Sequence, residues 1–277
     1  MAILIVPALP RDSQPLAIDL GGIVPDRLAG LDAAASARLP IAADGRCCLL
    51  GDLFVVSGNA ADGRVECRGD FSRVHNIGAE RTAGRIDVAG DAGRHAGERM
   101  TGGSLAIAGR AGDWLAAEMA GGSVTVGGDA GDNVAAALPG SDVGMRGGVV
   151  IIGGDVGGLA GSRMRRGILA VAGLCGPGAA FEMRAGSVVT GGGFGPDSAL
   201  GMRRGSLVSF ASACPVPAGF RPGSTWSPPF LPLLFRRLAA AGFRPGIPAP
   251  ATWEHWHGDV LAGGRGEIFR RPAAGGG

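Results

Sequence analysis

The sequence predicts an all-β chain wound as a parallel β-helix of about eight coils, and three observations carry that prediction. A strand-like run begins at Arg64, Arg85, Ser104, Ser123, Val149, Ile168, Ser187 and Ser206, with spacings of 21, 19, 19, 26, 19, 19 and 19. The period is therefore 19 with one insertion of seven. A glycine precedes every run (Gly63, Gly84, Gly103, Gly122, Gly148, Gly167, Gly186 and Gly205), and a second closes seven of them (Gly69, Gly90, Gly109, Gly128, Gly154, Gly173 and Gly192). Met100, Met119, Met145, Met164, Met183 and Met202 each stand four residues before a run, and the remaining methionine is Met1.

A fixed period of about 20 residues marks a solenoid in which each repeat is one coil. Within the runs the second and fourth positions are apolar, as in Ile86/Val88, Leu105/Ile107, Val124/Val126, Val150/Ile152 and Leu169/Val171. That alternation describes a strand with one face buried. The unit is too short to hold a strand plus a crossover helix. Equivalent positions stack about 4.8 Å apart from coil to coil, so the methionines form a ladder, and Met suits an irregular apolar core. The glycines mark backbone that needs positive φ or has no room for a side chain.

Taken in order, residues 1–63 stand outside the repeat and are expected to cap the open sheet edge, which would otherwise invite aggregation. Ile18-Asp19-Leu20 reads as a strand, Pro25–Ala37 as a short helix, and Ile41–Val56 as strands around the Asp44-Gly45 turn. Residues 64–214 are the repeats. Residues 215–277 are dense in proline and read as an extended arm lying on a surface, interrupted by one helix over Leu231–Ala241. Pro272–Gly277 is expected to lack fixed structure.

Composition narrows the function. The chain has 277 residues, 53 of them glycine, with no tyrosine and a net charge of +2. Its basic residues are all arginine, since lysine is absent. So small a charge recommends neither nucleic acid nor an anionic membrane as partner. Cys47, Cys48, Cys67, Cys175 and Cys214 are odd in number and lack C-x-x-C spacing, which speaks against a disulfide framework and a zinc site. Ala2–Val6 is too short for a signal or membrane helix, so a cytoplasmic location is expected.

The unit G-x-x-M-x-x-G-x-[IL]-x-[IV]-x-G, intact at Gly97–Gly109 and Gly161–Gly173, resembles the repeat of the C subunit of formylmethanofuran dehydrogenase and of its bacterial counterpart in the formyltransferase/hydrolase complex. It is less closely similar to the Gly-rich C-terminal domain of the glutamate synthase large subunit. Leu50-Gly51-Asp52-Leu53-Phe54-Val55-Val56 resembles the first family too, as do Gly258-Asp259 and Gly263-Gly264-Arg265-Gly266-Glu267-Ile268. Arg81 departs from it at the methionine position, and Ala116, Asp142, Ala180 and Ala199 at the glycine three residues before the methionine. The resemblance implies a right-handed coil, which the general preference of parallel crossovers supports. It also implies a non-catalytic structural subunit of a one-carbon complex, whose other subunits transfer and hydrolyse a formyl group. They would pass it from a tetrahydromethanopterin-type carrier through a methanofuran-type carrier to formate. The composition favours the bacterial hydrolytic complex over the archaeal redox one. A glutamate synthase-type structural domain and a stand-alone β-helix enzyme acting on carbohydrate are the other readings.

No catalytic, metal or cofactor residue is assigned to this chain. His255 and His257 lack a third ligand at a recognisable spacing, and His75 and His95 are isolated. Gly263–Gly266 lacks the lysine and helix of a phosphate loop. Asp70, Asp91, Asp129 and Asp155 share one repeat position and read as turn residues bonding their own backbone. The informative polar feature is arginine: Arg146, Arg165, Arg184 and Arg203 follow four successive ladder methionines, and Arg166 and Arg204 follow two of those. Stacked in register they form a basic stripe. Either the heads fan out into solvent, or they meet an anionic partner, an acidic subunit or a polyglutamyl carrier. The insertion around Asn133–Asp142 is expected to protrude beside Arg146, and Trp226, Trp253 and Trp256 to add interface anchors.

Overall fold

The computed structural model describes residues 2–246 and 248–273. The fold is mostly β, dominated by an open mixed sheet of 13 strands. Eight of these are the repeat strands, from Arg64–Cys67 to Arg204–Ser209, and each is parallel to the strand one repeat away. Their register holds residue for residue through Val65, Ile86, Leu105, Val124, Val150, Leu169, Val188 and Leu207. Ile3 extends this row at one end and Ile268 at the other, and all ten side chains are buried. A second column of bridges joins Phe71, Ala92, Ala111, Ala130, Val156 and Cys175. Between returns to the sheet the chain runs through turns, with successive repeat strands 19, 21 or 26 residues apart.

The two repeated residue types explain one another. Each ladder methionine is fully buried. Its methyl group lies where the leading glycine of the next coil would carry a Cβ: 2.6 Å for Met100 against Gly122 and Met119 against Gly148, 2.8 Å for Met145 against Gly167, 2.9 Å for Met164 against Gly186 and 2.7 Å for Met183 against Gly205. These glycines also hold φ between 85° and 110°, from Gly122 to Gly186, a region that L side chains avoid. The long methionine reaches across the coil only because its neighbour has no side chain.

The aspartates behave otherwise than expected. Asp91, Asp129 and Asp155 accept from the backbone N–H of Arg110, Asp155 and Leu174, one coil onward, at 2.7–3.0 Å. Only Asp70 caps its own turn, through Ser72 N–H. The carboxylates occupy the space in which Gly109, Gly154 and Gly173 would carry a Cβ. The closing glycines therefore serve as sockets for the preceding coil's aspartate.

At the N-terminal end Ile3–Pro7 pairs parallel with Arg64–Cys67 and antiparallel with Phe54–Ser57. The helix expected over Pro25–Ala37 is two, Pro25–Leu28 and Ala33–Ala37, because Asp32 caps a fresh start by accepting from Ala35 N–H. The strands around Asp44-Gly45 form as Pro40–Ala43 and Arg46–Leu49, but a helical turn over Leu50–Leu53 precedes the next strand. Asp26 ties this region to the coil, accepting from Thr82 and Ala83 N–H.

The proline-dense segment is not an extended arm. Arg265–Arg270 adds to the last repeat strand in parallel, and Trp253–Gly258 and Arg221–Trp226 follow antiparallel. The helix, Phe230–Ala240, packs on the outer sheet face, where Leu231 and Leu238 join Ile151, Ile168, Val189, Val208 and Phe269. Strands beneath it are apolar on both faces, whereas Arg85–Val88 and Ser123–Val126 alternate. Continuous apolar runs such as Val149–Ile152 were the signal that something covers them. The expectation for Pro272–Gly277 falls mainly on residues 274–277, outside those described.

Arg81 occupies the ladder position with 0% exposure. Its Nη2 lies 2.9 Å from Met100 Sδ, while Nε and Nη1 find no partner among the described residues. Burial pushes its pKa down to about 10 against the opposing pull of Asp26. A buried guanidinium so poorly satisfied costs stability that an apolar side chain of similar volume recovers. Arg81→Met should therefore raise the unfolding midpoint, and Arg81→Ala should lower it by leaving a cavity. In the ladder proper, Met164→Ala should cost about 2–5 kcal/mol, Gly148→Ala about 1–2 kcal/mol through its backbone, and Met164→Leu less than about 1.5 kcal/mol. Denaturant unfolding of the purified chain checks this order.

Candidate partner-binding surface

The backbone places the arginine stripe in register. Arg165, Arg184 and Arg203 N–H donate to Met145, Met164 and Met183 carbonyls, and Arg146 N–H to Met119. Arg146, Arg165, Arg166, Arg203 and Arg204 are exposed and Arg184 is half-buried. None of the six guanidinium groups has a partner among the described residues. Several arginines of the coils are matched: Arg85 meets Asp87 at 2.7 Å, Arg99 meets Glu118 at 3.0 Å and Arg110 meets Asp129 at 3.1 Å. The stripe by contrast is a run of uncompensated charge among the described residues.

Arg265 was missed as a member. It stands outside the repeat period, but parallel pairing sets it beside Arg204, extending the stripe by one strand. Two hollows open along it. One of about 280 Å³ is lined by Arg146, Arg165 and Arg166. A larger one, about 570 Å³, has Arg184, Arg203 and Arg265 on its wall together with Leu261.

Next to the stripe runs a column of charged side chains, Glu80, Arg99 and Glu118, then after Ala137 Arg163 and Glu182, the five charged residues each held at φ 49–54°. Arg163 Nε donates to Glu182 at 2.8 Å. Burial disfavours the Glu118 carboxylate, but hydrogen bonds from Ser141, Arg99 and the Leu138 N–H outweigh it and hold its pKa below the ordinary value. These bonds correct the view of the insertion as a protruding loop. Leu138 N–H bonds Glu118, and Ser141 carbonyl accepts from Arg163 Nη1 at 3.0 Å, so the loop is stitched back onto the coils. Only Pro139, Gly140 and Asp142 stay exposed.

The expected aromatic anchors divide. Trp253 is buried against Phe210 and Phe235, at 5.3 and 5.6 Å between rings, and cannot reach a partner. Trp256 lies under Arg270, whereas Trp226 remains 39% exposed on the sheet's outermost strand. His255 stacks on Phe269 at 4.7 Å and sits 3.5 Å from Glu267; burial lowers its pKa. His257 is 5.5 Å away, and no group of three metal-binding side chains occurs among the described residues. His95 stacks on Trp114 and bonds Glu98, while His75 accepts from Arg94 N–H. Cys67 and Cys175 are packing residues whose thiols burial pushes up to about 12. Among the described residues no helix is long and apolar enough to cross a membrane.

No model of a known protein family matches the chain. Part of it is 32% identical over 91 residues to the C subunit of molybdenum-containing formylmethanofuran dehydrogenase 1 of Methanosarcina barkeri, which is 31% of this chain and 30% of that protein. It is 36% identical over 84 residues to the C subunit of the formyltransferase/hydrolase complex Fhc of Methylorubrum extorquens, 30% of this chain and 31% of that one. Each of these alignments thus spans about a third of the relative. The structural likeness runs end to end. A chain in the crystal structure of the formyltransferase/hydrolase complex of Methylorubrum extorquens, solved with methylofuran, matches at a TM-score of 0.89 and 32% identity, covering 98% of this chain and 99% of that one. The chain belongs to the C-subunit family of formylmethanofuran dehydrogenases and formyltransferase/hydrolase complexes.

Proposed function

We propose that this chain is the non-catalytic, structural subunit of a bacterial-type formyltransferase/hydrolase complex. The observation that carries the reading is the end-to-end match to a chain of such a complex. The interior supports it: ladder methionines, aliphatic strand residues and unreactive buried thiols fill the coil. In this reading the circuit is a right-handed parallel β-helix over 64–214, capped by 1–63 and finished by 215–277. Formyl transfer and hydrolysis belong to the other subunits, with the methanofuran-type carrier shared between them.

The arginine stripe is the surface through which this subunit works. An isolated row of like charges is unfavourable unless solvated or neutralised, and each guanidinium can hold one carboxylate bidentately. Its unpaired groups therefore fit an acidic face of a neighbouring subunit, or the anionic tail of a polyglutamyl carrier. Such a carrier would supply the formyl-bearing group, and Arg146, Arg165 and Arg166 are the residues that would grip its tail.

Two experiments test this. The chain purified alone should neither hydrolyse a formyl carrier nor hold stoichiometric metal; either property would overturn the structural reading. The combined variant Arg146→Gln, Arg165→Gln, Arg184→Gln and Arg203→Gln should keep its fold, since none of the four side chains enters the core. Assembly of the complex, or retention of an acidic carrier, should weaken relative to the parent, most at low salt, since raised salt screens the same exposed ion pairs in the parent. Parent-like assembly and carrier retention at every ionic strength would make the stripe a solvated face.

A further inference from the structure

Beside the larger hollow stands an apolar side chain held out in water. Leu261 is 92% exposed and its neighbour Val260 46% exposed, on the tight turn Val260–Ala262. The turn is rigidly built. Asp259, itself 3% exposed, accepts from Leu261 N–H at 3.1 Å and from Gly201 N–H at 3.3 Å. Asp259 N–H donates to Met202 carbonyl, Val260 N–H to Gly219 carbonyl, and Gly264 N–H to Asp259 carbonyl. Gly219 must be glycine, because its Cβ would overlap the Asp259 carboxylate. A buried carboxylate is thus committed to presenting one leucine to the outside.

The ground beneath that leucine is cationic. Arg184, Arg203 and Arg265 line the hollow with Leu261 and have no partner among the described residues. The two acids at its rim are drawn elsewhere: Glu182 to Arg163 at 2.8 Å and Asp142 to Arg163 at 3.9 Å. A projecting apolar knob next to three free guanidinium groups asks for an occupant with carboxylates beside an apolar recess.

We propose that this corner is the docking point for an acidic segment of a neighbouring protein subunit, which brings carboxylates to Arg184, Arg203 and Arg265 and closes an apolar cup over Leu261. The inference rests on the reading of the chain as a subunit of a hetero-complex. It goes beyond that reading by dividing the stripe: an anionic carrier tail satisfies guanidinium groups but leaves the leucine in water, whereas a protein surface satisfies both. A pre-organised knob of this kind loses little freedom on binding, and a few well-packed, fully desolvated side chains, arginine prominent among them, carry most interface energy.

The test uses the intact complex purified from the native cell through a tag on this chain. Leu261→Ser should weaken subunit association at least about 30-fold by mass photometry, the mark of an interface hot spot, at low and high salt alike. Arg184→Gln with Arg203→Gln and Arg265→Gln should weaken it as well, with a loss that shrinks as salt rises in the parent. A photo-crosslinking phenylalanine at position 261 should label one subunit, at a segment bearing at least two acidic residues. Parent-like association of Leu261→Ser, or crosslinks confined to this chain, would overturn the proposal. If the arginine variant alone weakens association, the stripe reading stands and only the docking of Leu261 falls.

Discussion

Everything in this molecule depends on each coil accepting a side chain from the one before it. A methionine methyl fills the volume that a Cβ on the next coil's leading glycine would need. That contact fixes the spacing of strands, the positive φ of the glycine and the narrowness of the interior at once. Around that contact the core is filled by aliphatic, aromatic and small residues, Leu105, Phe71, Val124 and Ala130 among them. The aspartate sockets repeat the arrangement with polar atoms on another side of the circuit. Coupling is therefore between nearest neighbours along the sheet.

Because the interior is spoken for by packing, function is left to the outside of the coil, where a position can change chemistry without disturbing the stack. The two halves use this freedom differently. Among the early coils, Asp87 pairs with Arg85 on its own strand and with Arg64 on the neighbouring one. In the later coils the residue after the methionine becomes arginine four times and is left without a counter-ion. The outer sheet face changes at the same place, from polar to apolar, under the helix Phe230–Ala240. The C-terminal part of the molecule thus carries both the helix and the unpaired arginine row.

How much of this was legible follows from what repeats. The strands, their register, the methionine core and the arginine row all recur with the period, so the sequence shows them directly. What stands once was read poorly. The proline-dense segment looked like an arm, because proline is unusual in strands; yet Pro222 sits on the outermost strand, where a missing N–H costs little. Arg265 joins the stripe only through a pairing sixty-one residues distant in sequence, Arg204 to Arg265, which no local pattern announces. The direction of the aspartate bonds was hidden for a related reason: a turn residue and a socket residue have the same identity and the same spacing. Trp253 and Trp226 likewise look equivalent on the page, though one is core and the other faces water.

The irregular coils have a consequence for the folding chain. A stack of near-identical units could assemble one unit out of step, with every methionine beneath the wrong glycine and almost no change in apolar contact. Three departures remove that degeneracy. Arg81 offers a guanidinium where a slipped neighbour expects a methyl group. The spacing of 21 rather than 19 makes the first junction a different length from those that follow. The seven-residue insertion meets Glu118 on one side and Arg163 on the other, a pairing available at one junction alone. These irregularities act as phase marks. They let a periodic chain count its own repeats, and so place its unbalanced arginine row at a defined distance from its first repeat strand.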